Sequence, residues 1–194
     1  TGAFGSGKTT IANLFNRYSF KVINVDKLYG SIYKKNISLR NKIKKEFGTV
    51  NRNRLKKIVF NSSNKLKKLN KITHPLIIKE IQKLIKKIKT KNKNSNIVID
   101  APLLIEAKAA NLVDKVIVIE CDEKKLIDRV LKKKKYSKEE IKNITKSQMP
   151  LKEKLKFADF VIDNSYPLAK TKNQVKEIIR KEMLNKQKEA QGGG

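Results

Sequence analysis

Short apolar runs alternate along this chain with longer stretches in which apolar residues recur at helical spacing. Lys21-Val22-Ile23-Asn24-Val25 is a β-branched run ending at Asp26. Asn96-Ile97-Val98-Ile99-Asp100 is a second, set off by the polar linker 91–96. Residues 115–120 (KVIVIE) and 160–163 (FVID) complete the set. Strands with one wet face would alternate with polar residues, so these continuous runs predict strands buried on both faces. Between them, helical spacing predicts helices over 38–47 (stopped by Gly48), 53–60, 76–88, 123–131 and 139–147. Ser137-Lys138-Glu139-Glu140 reads as a capping-box start for the last of these. A terminal helix is expected over 175–184, followed by a polar, glycine-rich frayed tail at 187–194. The alternation predicts an α/β domain with a doubly wound parallel sheet. Residues 27–89 show no strand signal and are too many for a simple crossover, which predicts a helical subdomain on the substrate side.

The chemistry is concentrated at the start. From Gly2, the segment Gly2-Ala3-Phe4-Gly5-Ser6-Gly7-Lys8-Thr9 satisfies G-x-x-x-x-G-K-[ST], the phosphate-binding loop of nucleotide triphosphate enzymes. Glycines there let successive N–H groups turn inward on an anion. Lys8 would meet the β- and γ-phosphates, and the Thr9 hydroxyl could ligate Mg2+. An amphipathic segment follows at once (Thr10, Ile11, Leu14, Phe15), which is the loop-to-helix context the motif needs. Such a loop is launched by a buried strand, and no residues stand before Thr1 to form it. The expectation is therefore a P-loop NTPase-type sheet whose first strand, about five to eight residues, is missing from the chain.

Ligands of doubly wound sheets bind beyond the carboxyl ends of the strands. Asp26, Asp100, Glu120 and Asp122 all fall there. Asp26 is a candidate base for a hydroxyl attacking the γ-phosphate, with a helix N-cap as the plain alternative. Asp100, stopped by Ala101-Pro102, resembles the acid that supports Mg2+ at the end of a Walker-B strand. His74, the only histidine, sits in Thr73-His74-Pro75, which reads as a helix opening with Pro75 in the first turn. Arg129 and the lysines at 132–135 suit a lid, spanning 129–147, that closes cations over a triphosphate.

Composition changes this picture little. The 194 residues fit one domain, with 39% hydrophobic content for a core and only 6% aromatics. Net charge is +29, from 47 basic and 18 acidic residues, which invites a nucleic-acid reading. Yet the arginines suited to base and phosphate recognition are only Arg17, Arg40, Arg52, Arg54, Arg129 and Arg180, and the lysines are scattered. Lys, Asn and Ile share AT-rich codons, so base bias accounts for the charge equally well, and no specific nucleic-acid partner is expected. Cys121 is the only cysteine, which fits a reducing compartment and a cytoplasmic location. No apolar run approaches the ~20 residues of a membrane span.

Several further segments line up with one family. Beside Gly2 to Thr10, these are Val22-Ile23-Asn24-Val25-Asp26, Asn51-Arg52 with Leu55 and Val59-Phe60, and Thr73-His74-Pro75. Asp100-Ala101-Pro102-Leu103-Leu104-Ile105-Glu106, Gln148 and Ala158-Asp159-Phe160-Val161-Ile162-Asp163-Asn164 follow in order. Together they resemble dephospho-coenzyme A kinases across nearly the whole chain. The resemblance implies ATP- and Mg2+-dependent phosphorylation of the ribose 3′-hydroxyl of dephospho-CoA by a single domain, most simply a monomer. It implies that residues 2–10 bind ATP, that Asp26 is the general base, and that Thr9 and Asp100 serve the metal. His74, Pro102, Leu103, Leu104 and Glu106 would lie near the acceptor, Arg129 and Lys133 in the lid, and Asn164 by the adenine. The chain departs from the family pattern at Asn24, where Asp is frequent, at Lys133, where Arg is usual, and at Ile78, where a basic residue is common. A kinase for a nucleoside monophosphate would share the loop and lid but not explain Thr73-His74-Pro75 or Pro102-Leu103-Leu104-x-Glu106. An RNA-binding P-loop protein would predict clustered arginines and exposed aromatics, neither of which the sequence clearly offers.

Overall fold

Each of the four apolar runs becomes a parallel strand. The computed structural model describes residues 1–132 and 136–191. In chain order the elements are α1 (Lys8–Asn16), β1 (Lys21–Asn24), α2 (Val25–Lys35), α3 (Ile37–Phe47), α4 (Arg52–Phe60) and α5 (Ser63–Lys91). After these come β2 (Ile97–Asp100), a 3-10 turn at Ala110–Leu112, β3 (Ile117–Glu120), α6 (Glu123–Lys132), α7 (Lys138–Lys146), α8 (Leu151–Leu155), β4 (Phe160–Asp163) and α9 (Leu168–Gln191). Strand β1 pairs in parallel with β2, with Asn24 opposite Asp100, and β3 with β4, with Glu120 opposite Asp163. The backbone at Thr1–Gly2 runs parallel to β3, accepting from Ile119 N at 2.9 Å, while the Thr1 hydroxyl donates to Pro102 O just beyond β2.

Alternate residues of each strand point to opposite faces, and the expected burial on both faces fails at Val161 of β4, which stays 43% exposed. On one side Ile119, Ile162 and Phe160 pack with Ile11, Leu14 and Phe15 of α1 and Val175, Ile178 and Ile179 of α9. On the other, Val116 and Val118 pack with Ala101, Leu104 and Ala109 of the loop after β2 and with Leu151 and Leu155 of α8. The helices between β1 and β2 build a separate cluster around Tyr33, Leu39, Ile43, Leu55 and Val59. Asparagine and serine punctuate this stretch: Asn24, Asn36, Asn51 and Ser62 each cap the next helix by accepting a backbone N–H.

Four elements differ from the sequence expectation. Asn24, not Asp26, is the cap of α2, so Val25 leaves the strand and Asp26 sits in the first helical turn. Helix α5 does not open at Pro75; it starts at Ser63 and runs through the proline. The ring forfeits a helical hydrogen bond worth ~3 kcal/mol with its clash. Leu66, Leu69, Ile72 and Leu76 nevertheless pack against the Tyr33–Val59 cluster on either side of it, and that continuous burial holds the helix together. Helix α9 begins at Leu168 and continues to Gln191, past the point where the tail was expected to fray; residues 192–194 lie outside the described residues. Helix α8 was not foreseen.

Helix α8 is fixed by a buried ion pair. The Lys154 side chain is fully buried and its Nζ lies 2.9 Å from Glu106 Oε1 and donates to Pro102 O at 2.9 Å. Glu106 Oε1 also accepts from Met149 N at 3.0 Å. The loop after β2 is thus tied to the segment joining α7 to α8. Removing one partner strands the other charge in a dry site. Lys154→Met is therefore expected to cost ~3–5 kcal/mol in urea unfolding, with Lys154→Met/Glu106→Gln recovering much of that loss.

Candidate active site

The loop leads into α1 with a glycine at its N-cap. Gly7 has φ 92° and caps α1 with no side-chain hydrogen bond, so the first helical N–H groups are left for a ligand. A Cβ on Gly7 would stand 2.3 Å from Asn164 Nδ2, and one on Gly5 (φ 84°) 2.5 Å from Val130 Cγ2. These two positions accept glycine alone, because both the backbone angle and the space forbid a side chain. Ser6 is fully buried and its carbonyl accepts from Asn164 Nδ2 at 2.8 Å, while Asn164 Oδ1 accepts from Thr171 at 3.0 Å. Asn164 therefore bolts the loop to α9.

A cavity of about 490 Å³ opens in front of the loop. Phe4, Gly5, Gly7, Lys8, Thr9 and Thr10 form one wall, and Asp26, Asp100 and His74 project from three other elements. Pro102, Leu103, Leu104 and Glu106 line it from the loop after β2, and Val130, Tyr136, Ile144 and Gln148 border it from the side of α6 and α7. Phe4 meets Tyr136 edge-on, with ring centroids 5.2 Å apart, so the loop and the α6–α7 pair touch directly.

Asp100 is the hub. It is buried, and its Oδ2 accepts from Thr9 Oγ1 at 2.7 Å and from Asn24 Nδ2 at 2.7 Å. Strand register puts Asn24 beside it, and an Asp at position 24 would set a second carboxylate against the first. Asn24 is thus a site residue that the sequence reading treated only as a departure from pattern. The matching polar ends of two neighbouring strands were the signal. Lys154 was missed for another reason: nothing in a chain this rich in lysine marks one of them as buried.

Electrostatics follow from enclosure. Lys8 folds back on the loop, donating to Ala3 O at 2.6 Å and Gly2 O at 3.2 Å. Burial, and then the nearby Lys154 charge, pull its ammonium down to about 8, against the opposing pull of Asp100, Asp26 and Glu106. Asp26 is open to the cavity but enclosed by its walls. Lost hydration and then the Asp100 charge raise its carboxyl above the ordinary value, opposed by Lys8, Arg52 and Lys56. Burial lowers the His74 imidazole against the pull of Glu106, which favours the neutral ring. Arg52 itself lies 5.9 Å and 5.7 Å from the ring centroids of Tyr29 and Tyr33, a cation stacked behind Asp26.

Other expected residues fall elsewhere. Gly2 and Ala3 serve as backbone acceptors for Lys8 rather than as lining. Arg129 donates to Asn164 O at 2.8 Å and to Cys121 Sγ at 3.3 Å, so its guanidinium faces the loop after β4. Asn164 is spent on Ser6 and Thr171. Lys133 lies outside the described residues. Among the described residues no group of three His, Cys, Asp or Glu side chains could hold a metal. Mg2+ needs only one or two protein oxygens beside phosphates and water. Thr9 Oγ1 and Asp100 offer such hard oxygens side by side.

A family model described as dephospho-CoA kinase matches residues 1–170. A dephospho-CoA kinase of Carboxydothermus hydrogenoformans is 39% identical over 189 residues, covering 93% of this chain and 91% of the relative. One of Aquifex aeolicus is 35% identical over 186 residues, covering 92% and 93%. Among solved structures, a dephospho-CoA kinase from Campylobacter jejuni superposes with a TM-score of 0.63 at 28% identity, covering 92% of each chain. The Thermus thermophilus protein TT1252 shares the fold, with a TM-score of 0.74 at 24% identity over 93% of this chain and 94% of that one. The chain belongs to the dephospho-CoA kinase family.

Proposed function

We propose that the protein transfers the γ-phosphoryl group of ATP to the ribose 3′-hydroxyl of dephospho-CoA, giving coenzyme A and ADP. The observation that carries this reading is the convergence of the phosphate loop, Asp26, Asp100 and the Pro102–Glu106 loop on one cavity. The α1 N-terminus and the loop amides hold the phosphates, and Lys8 swings from its loop carbonyls to the β- and γ-phosphates. Asp26 takes the proton of the 3′-hydroxyl as that oxygen bonds to the γ-phosphorus and the bond to ADP breaks. His74, Pro102, Leu103, Leu104 and Glu106 position the acceptor. Thr9 and Asp100 would hold Mg2+, which would neutralise phosphate charge.

The helices of 27–89 serve as the acceptor-side subdomain, and the region 129–147 as a lid carrying Arg129 and Lys133. The contact of Phe4 with Tyr136 supports the second assignment, because closure would bring α6 and α7 over the loop. The protein acts as a monomer in the cytoplasm. No helix among the described residues is long and apolar enough to cross a membrane.

The test is coupled ADP release with ATP, Mg2+ and dephospho-CoA, with AMP and thymidylate as parallel acceptors. Turnover confined to dephospho-CoA is expected, and turnover with AMP or thymidylate alone would overturn the acceptor assignment. In that assay Lys8→Ala and Asp26→Asn should each lower kcat by ~10² or more while thermal unfolding stays cooperative. A near-normal kcat for Asp26→Asn would remove Asp26 as the base. The pH dependence has a definite sign. Lys8 binds phosphate when charged, so kcat/KM for ATP should fall as pH rises through about 8. Asp26 accepts a proton when ionised, so kcat/KM for dephospho-CoA should fall on acidification through a pKa above the ordinary carboxylate value. Asp26→Asn should abolish that acid limb.

A further inference from the structure

A second groove, of about 350 Å³, lies beyond His74 and continues the main cavity. The two share Asn70, His74, Ile78, Glu106 and Ala107, so one ligand can pass from the first into the second. What the groove adds is Lys67, Lys71 and Pro75. Lys67, Lys71, His74 and Ile78 fall at positions i, i+4, i+7 and i+11 of α5, which is one face of the helix. At 1.5 Å rise per residue the two lysines are ~6 Å apart along the axis, within reach of adjacent phosphoryl groups for two flexible side chains.

Charge on the groove is one-sided. Among the described residues its only acid is Glu106, whose Oε1 is already paired with Lys154 and the Met149 N–H. His74 is held toward its neutral form by burial. The net field therefore comes from Lys67 and Lys71, and it favours an anion. Glu106 Oε2 is buried with no hydrogen-bond partner among the described residues, and it belongs to a residue lining both cavities.

We infer that the groove is the subsite for the diphosphate arm of the acceptor, with Lys67 and Lys71 as its anion contacts. The inference rests on dephospho-CoA being the acceptor. It gives the chain an anion contact on α5 that is N-terminal to His74, where Ile78 on the other side offers none.

The experiment is calorimetric titration of dephospho-CoA, and separately of adenosine, into wild type and Lys67→Gln/Lys71→Gln, with the ATP site filled by a non-hydrolysable ATP analogue. Adenosine lacks the diphosphate arm. The Kd for dephospho-CoA should rise about tenfold in the double variant, as expected for two exposed ion pairs. The adenosine Kd and the KM for ATP should not change, and Lys67→Arg/Lys71→Arg should keep most of the affinity. A dephospho-CoA Kd within about twofold of wild type in the Gln variant, or an equal loss for adenosine, would overturn the subsite. The two readings separate cleanly. Wild type that binds dephospho-CoA through these lysines without phosphorylating it would refute the proposed reaction and leave the subsite standing. Normal turnover with an unchanged KM in the Gln variant would do the reverse, and no binding to wild type would refute both.

Discussion

Asp100 Oδ2 receives two hydrogen bonds of 2.7 Å, one from the Thr9 hydroxyl at the head of α1 and one from the Asn24 amide at the end of β1. This shared oxygen fixes three pieces of chain against each other: the phosphate loop, the strand that delivers Asp26, and the strand that delivers the acceptor loop. A carboxylate buried among apolar walls needs such donors to replace the water it has lost. The same economy governs Glu106, which is balanced by Lys154 and leaves one oxygen unspent. In a chain with 18 acidic residues against 47 basic ones, three carboxylates around one cavity form a local exception to the overall charge.

The electrostatic balance also explains how the loop is held. Lys8 is drawn onto its own loop carbonyls, a contact that a triphosphate would displace in the proposed reaction. Its lowered pKa records the cost of confining an ammonium near Lys154 in an enclosed site. Phosphate charge restores what burial removes, so nucleotide binding and Lys8 protonation reinforce one another. On the far side, Asn164 and Gly7 lock the loop backbone so tightly that a single methyl group could not be added at position 7. The rigid loop and the adaptable lysine divide the work of preorganisation between them.

Much of this was legible in the sequence because the carriers are local. The four strands appear as continuous β-branched runs, and the loop glycines, Lys8, Thr9, Asp26 and Asp100 sit at positions that strand ends and a short motif define. What escaped depends on contacts between distant segments. Pro75 looked like a helix start, since a proline's local preference is visible and the packing of α5 across it is not. Asn24 acquires its role only through the register that sets it against Asp100. Arg129 reads as a lid cation by position, and the contacts of its guanidinium with Asn164 O and Cys121 Sγ become visible only in the fold. Lys154 is one lysine of many until burial singles it out.

The central claim is that these strand ends place the acceptor hydroxyl at Asp26 and the phosphates at the loop. The most direct measurement is a crystal structure with a non-hydrolysable ATP analogue, Mg2+ and dephospho-CoA bound together. The account predicts the ribose 3′-oxygen within hydrogen-bond reach of Asp26, at about 2.6–3.2 Å, and in line with the γ-phosphorus. A 3′-oxygen held by other residues, with Asp26 turned away from it, would contradict the account.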